Sequence, residues 1–159
     1  MKKHLSKKLV AAIALVVLIA GLTSCGKKDS DDSTPASGDR TAKFTITVTG
    51  ATESAYLSFV MVGLTNNPSE STVWKVNGEV QNNQSGVSLG KNNFSGSTKT
   101  YVIESIKPLS NISAGIQCLS PGNETYKVSY KAEINGVVKE DLKDFTVSKA
   151  TDLTRDYTY

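Results

Sequence analysis

Histidine is almost missing from these 159 residues: the single one is His4, so the chain beyond it has none. Without imidazole, Ser-His-Asp and Cys-His nucleophilic catalysis are excluded, together with nearly every zinc-hydrolase ligand set. Cysteine is nearly as scarce, with only Cys25 and Cys118. Cys118 shares an alternating apolar face with Ile112, Ala114 and Ile116, where a small buried residue is the ordinary role of a free thiol. No neighbouring base is in the sequence to activate it. Arginine occurs twice, as Arg40 and Arg155, and past the first eight residues there is no lysine-rich patch. Nucleic acid is therefore excluded as a partner. No segment beyond the N-terminal stretch carries a helical stripe, which leaves a β-rich chain.

The N-terminal stretch is different in kind. Lys2, Lys3, Lys7 and Lys8 precede an unbroken apolar run from Leu9 to Ala20. That run is too short to span a bilayer comfortably and ends in small residues, as cleaved signals do. It leads into Leu22-Thr23-Ser24-Cys25, which resembles the lipobox of bacterial lipoproteins. The resemblance implies cleavage before Cys25 and acylation of Cys25, with the covalent lipid as the only non-protein group and no other cofactor or metal. One acyl chain binds marginally, at about 0.8 kcal/mol per buried methylene, whereas two or three hold firmly. Removing residues 1–24 takes four of the 18 basic groups and none of the 15 acids, leaving about −1 in place of +3. The basic balance belongs to the leader.

Residues 25–40 form a polar tether, GKKDSDDSTPASGD from Gly26 to Asp39, in which nothing buries a core. Lys27-Lys28-Asp29-Ser30-Asp31-Asp32 resembles the acidic export signal of Bacteroidota surface lipoproteins, which implies an outer-membrane, cell-surface location; the alternative is the periplasmic face. Asp32-Ser33-Thr34 is similar to the O-glycosylation pattern of that phylum. Asp29, Asp31 and Asp32 do not make a calcium loop, because its glycine and distal glutamate are missing. Arg40, between tether and first strand, resembles the processing site of Bacteroidota fimbrial precursors, in which cleavage after arginine allows strand exchange.

From Ala42 the apolar period is two. Phe44, Ile46 and Val48 alternate with threonines, and Tyr56 to Leu64 is denser, as in a central strand. Asn77-Gly78 and Asn135-Gly136 are hairpin signals. Gln81 to Ser97 reads as a long loop with one short strand near Val87 to Leu89. Strands follow over Thr98 to Lys107, Ile112 to Cys118 and Tyr126 to Ile134; after Val137 and Val138 the polar run Lys139 to Asp144 interrupts a strand resumed by Phe145 and Val147. Asp152 to Tyr159 reads as a final edge strand, with Tyr157 and Tyr159 on its apolar face. About 120 residues suffice for one core. The expected fold is all-β: a single antiparallel sandwich of seven to nine strands over 41–159, immunoglobulin-like or transthyretin-like.

Candidate contact residues are few. Trp74 faces Gln81 across the Asn77-Gly78 hairpin, so its side of the ribbon is mixed: an exposed ring there would stack on a sugar or anchor a protein, the alternative being a ring folded onto the core. In the 82–97 loop, Asn92 and Asn93 beside Phe94 suit carbohydrate hydroxyls. Glu53, Glu104, Glu124 and Glu133 are scattered on polar strand faces or in turns, where solvated acids belong, so catalysis is not expected. The sequence points to a lipid-anchored, non-enzymatic envelope lipoprotein binding a glycan, a host or matrix component, or an envelope protein. The alternative is a structural subunit of an envelope complex, similar to the small sandwich lipoproteins that brace type VI secretion complexes, or a fimbrial component.

Overall fold

A computed structural model describes residues 40–159. The leader, Cys25 and the tether up to Asp39 lie outside the described residues. Ten strands and one short helix follow in the order β1 (Ala42–Thr49), β2 (Tyr56–Leu64), β3 (Trp74–Val76), β4 (Glu79–Gln81), β5 (Gly86–Gly90), α1 (Lys91–Phe94), β6 (Lys99–Ser105), β7 (Asn111–Leu119), β8 (Tyr126–Ile134), β9 (Val137–Val147) and β10 (Leu153–Thr158). They form two antiparallel sheets, ordered β4-β3-β6-β1-β8-β9 and β10-β7-β2-β5. The fold is an all-β sandwich. Ten strands exceed the expected seven to nine because the short β5 and the terminal β10 are both formed.

Alternation decides which side of each strand faces the other sheet. Phe44, Ile46 and Val48 of β1 are fully buried, as are Val128, Tyr130 and Ala132 of β8 and Phe59 and Met61 of β2. Ile112, Ala114, Ile116 and Cys118 line the core from β7. Phe44 sits at the centre of the packing, with ring centroids about 6 Å from Trp74 (6.0 Å), Tyr130 (6.1 Å) and Tyr159 (6.0 Å). Tyr157 stacks on Tyr130 at 5.6 Å, and the Tyr130 and Tyr159 hydroxyls lie 3.2 Å apart. Both C-terminal tyrosines thus close the core from an edge strand.

The two Asn-Gly hairpins form as expected. Asn77 and Gly78 adopt φ of 49° and 88°, Asn135 and Gly136 φ of 51° and 75°, the left-handed pair that a two-residue turn requires. The polar run before Phe145 behaves differently from the sequence reading. It does not break β9: the strand is continuous, with register shifts against β8 between Val128 and Tyr130 and between Ala132 and Glu133. Eleven residues of β9 thus oppose nine of β8. Each shift is a bulge that absorbs one extra residue, and Asp144 at the first has φ of 47°.

The outer faces of the sheets differ. The six-stranded sheet carries Lys43 and Lys75 on Glu104, at 3.8 and 3.1 Å, and Lys131 on Glu133 at 3.2 Å. These half-exposed pairs add little stability. The four-stranded sheet turns outward mainly Gly, Ser, Thr and Val, with Asp156 as its charge.

Candidate functional site

The β3–β4 hairpin and β5 line a groove of about 380 Å³ together with Tyr101 of β6 and Asn93 of α1. Its apolar wall is Val76, Val87, Leu89 and Tyr101; its polar rim is Asn77, Glu79, Gln81, Gln84, Ser88 and Asn93. Three contacts hold the hairpin in place. Trp74 Nε1 donates to the Ser85 carbonyl at 2.9 Å. Asn77 exchanges two bonds with Val102, its N–H donating to the Val102 carbonyl and its Oδ1 accepting from the Val102 N–H, each at 2.8 Å. The Asn83 N–H donates to Thr72 Oγ1 at 2.8 Å. Only four residues separate β4 from β5, so the groove is a built feature of the sandwich end.

Two expected contact residues do not reach it. Trp74 is fully buried, which corrects the expectation of an exposed ring. Gln81 is its neighbour across the hairpin, but burial is decided by the opposite sheet, where Gly63 leaves room for the indole. Phe94 is also fully buried, packed between Phe59 at 5.2 Å and Tyr101 at 5.1 Å. It anchors α1 and offers no face to a sugar. Asn93 lines the groove, yet its Oδ1 accepts the Gly90 N–H at 2.9 Å and its carbonyl accepts the Tyr101 hydroxyl at 3.2 Å. Asn92 is exposed beside it.

Sequence reasoning missed Glu79, Gln81, Val76 and Tyr101 as groove residues. The usable signal was the shortness of the segment from the Asn77-Gly78 turn to Val87, which forces the hairpin and the following strand side by side. Cys118 is fully enclosed, and burial pushes its thiol up to about 12, opposite to an activated nucleophile. Glu53 and Glu70 pair with Lys91 and Lys107. Glu124 is held below the usual carboxylate range by its own backbone N–H and the Ser54 hydroxyl. Among the described residues, no three His, Cys, Asp or Glu side chains gather as a metal site would require.

The four sheet edges are unequal, β4 and β5 at the groove and β9 and β10 on the far side. β9 carries Lys139, Glu140, Asp141, Lys143 and Asp144 together with its two bulges, devices that discourage a further strand. On β10, the Tyr159 N–H donates to the Ile112 carbonyl at 2.9 Å, so by alternation Thr154, Asp156 and Thr158 present their backbone groups outward. Arg155 Nη1 covers the Thr154 carbonyl at 2.8 Å. β4 is three residues long, and Gln81 Nε2 occupies the Glu79 carbonyl at 2.9 Å. β5, Gly-Val-Ser-Leu-Gly, has neither charge nor bulge.

Comparison with known proteins bears on the fold. The structure is similar to that of a calcium-bound protein from Parabacteroides distasonis solved by NMR, at a TM-score of 0.51 and 19% identity, covering 80% of this chain and 98% of that one. It is also similar to a DUF4425 family protein from Bacteroides ovatus, at a TM-score of 0.51 and 16% identity, covering 78% of this chain and 95% of that one. At such identities the likeness shows a shared fold. No family model and no curated protein matches the chain.

Proposed function

We propose that the protein is a lipid-anchored, non-enzymatic component of the outer membrane that binds a protein partner through the groove between β5 and the β3–β4 hairpin. The anchor rests on the lipobox-like Leu22-Thr23-Ser24-Cys25 and the lysine-led apolar leader before it. The acidic stretch from Asp29 to Asp32 supports a surface-facing position in a Bacteroidota-type cell, and both structural neighbours come from Bacteroidales. The observation that carries the choice of ligand class is the burial of Trp74 and Phe94. Carbohydrate sites commonly lean on an exposed aromatic face; Trp74 and Phe94 are core, and the half-buried Tyr101 on the groove wall packs edge-on against Phe94 with its hydroxyl on the Asn93 carbonyl. What the groove offers is a rim of amides, an apolar wall and an uncharged strand edge, which suit a polypeptide.

The described residues lend the fimbrial reading no support. Arg40 is bridged to Leu109 through two backbone hydrogen bonds of 3.3 and 2.8 Å, and its guanidinium donates to the Ser110 carbonyl. The ten strands of the described residues all follow it, so a cut there would release none of those ten. The test is protease shaving of intact cells, with a periplasmic control protein in the same sample. Shaving while the control survives is the expected result; protection until the outer membrane is opened would move the protein to the periplasmic face. Replacing Cys25→Ser should abolish metabolic labelling with palmitate, and persistent labelling would remove the anchor assignment.

A further inference from the structure

Resting on the reading that this groove binds a partner, we propose that the partner is an extended polypeptide segment that adds to β5 as a fifth strand of the smaller sheet. The Gly63 N–H donates to the Ser85 carbonyl at 2.8 Å. Backbone groups of an antiparallel strand point to a given neighbour at every second residue. Val87 and Leu89, which follow Ser85 at that interval, therefore turn their N–H and C=O groups to β2, and Gly86, Ser88 and Gly90 turn theirs to the free edge. Gly90 shows this directly, since its N–H leaves the ladder and is taken by Asn93 Oδ1 at 2.9 Å.

Asn93 and α1 close one end of the edge, leaving the outward groups of Gly86 and Ser88 open. Of the other edges, β9 is guarded by bulges and charge and β4 by shortness, while β10 has its Thr154 carbonyl taken by Arg155 and carries the charged Arg155 and Asp156. A strand laid on Gly86 and Ser88 lies beside the hairpin, with alternate side chains turned toward Val76 and Tyr101 in the groove. The rim also selects by charge. Glu79 is the groove's one charged residue and makes no ion pair among the described residues, whereas Glu53, Glu70, Glu104 and Glu133 each hold a lysine. The segment that fits is short, extended, free of acidic residues and carries a Lys or Arg opposite Glu79.

The experiment uses the full acylated chain in detergent. A phage-displayed random heptapeptide library is panned on it, and the enriched peptides are synthesised and measured by fluorescence anisotropy. Enriched sequences are expected to be basic and free of acids, and panning on Glu79→Lys should turn the preference acidic. Backbone N-methylation along the peptide should weaken binding at least tenfold at every second residue and leave the positions between unaffected. Ser88→Pro, which removes an outward N–H, should weaken binding by a similar factor, while Thr154→Pro on the covered β10 edge should not. N-methylation uses the unaltered protein, so it decides the matter even if Ser88→Pro does not fold. Binding without the alternating pattern overturns strand addition. A printed glycan array is run in parallel: a glycan whose binding is lost in Gln84→Ala keeps the groove as a binding site and overturns the polypeptide. No binder of either kind overturns both readings.

Discussion

Gly63→Ala is the substitution that tests the packing beneath the groove most directly. Gly63 is a buried β2 residue with ordinary strand backbone, so alanine costs nothing in conformation. Its cost is steric. A Cβ at this position stands 2.6 Å from Trp74 Cζ2 and 2.8 Å from Leu109 Cδ1, where carbon pairs rest at about 3.5–4.0 Å. The indole cannot swing clear, because its Nε1 is bonded to the Ser85 carbonyl and its ring packs on Phe44. Overpacking of this kind costs about 1–3 kcal/mol, which for a domain of this size lowers Tm by roughly 3–15 °C. Urea unfolding followed by far-UV circular dichroism measures it. Adding Trp74→Phe shortens the ring that clashes, so the double variant should be more stable than the sum of the singles by about 1 kcal/mol or more. Gly63→Ala within about 0.3 kcal/mol of wild type, or strictly additive singles, would refute the account of how the hairpin is seated.

Three further outcomes follow from the same core. Trp74 emission should be blue-shifted and resist acrylamide quenching, becoming quenchable on unfolding; a red, freely quenched native spectrum would put the ring at the surface. Cys118 should ignore Ellman's reagent in the folded protein and react after denaturation, since burial holds its thiol at about 12; prompt native labelling would contradict this. Stability should be flat up to about pH 9 and fall as pH rises further. The reason is that unfolded tyrosines ionise near about 10, whereas burial pushes Tyr159 up to about 12 and raises Tyr126, Tyr130 and Tyr157. The unfolded chain then binds fewer protons, which favours unfolding. Since these are four of the six tyrosines, phenolate absorbance at 295 nm that passes about a third of its full amplitude near pH 10, before any loss of sheet signal, would oppose it.

Much of the sandwich was legible because alternation along a strand is a local property. Phe44, Ile46 and Val48 announce an inward face by themselves, and Asn77-Gly78 and Asn135-Gly136 fix two registers from adjacent residues. What stayed hidden depended on the other sheet. Trp74 looked half-exposed because only its hairpin partner could be read, while its burial comes from Gly63 and Phe44, which approach from elsewhere in the chain. Lys139 to Asp144 looked like an interruption because charge on an edge strand and charge in a loop have the same composition; the bulges that separate them appear only in the pairing with β8. In the groove, the amides were visible as a polar loop, but their arrangement along a bare strand edge required the ladder parity set by Gly63 and Ser85.

The guarding of β9 and β10 also limits what kind of assembly this domain can enter. Filaments grow head to tail only when each subunit presents both a receiving and a donating surface. Among the described residues, one side of the sandwich carries the bare β5 edge, while the opposite side carries the bulges and charges of β9 and the β10 edge, where Arg155 takes the Thr154 carbonyl. If β5 takes up a strand as proposed, the sandwich of the described residues receives one on that side and offers no second bare edge opposite it. By that logic this domain would engage its partner one to one, as a cap at a terminus rather than a repeating link.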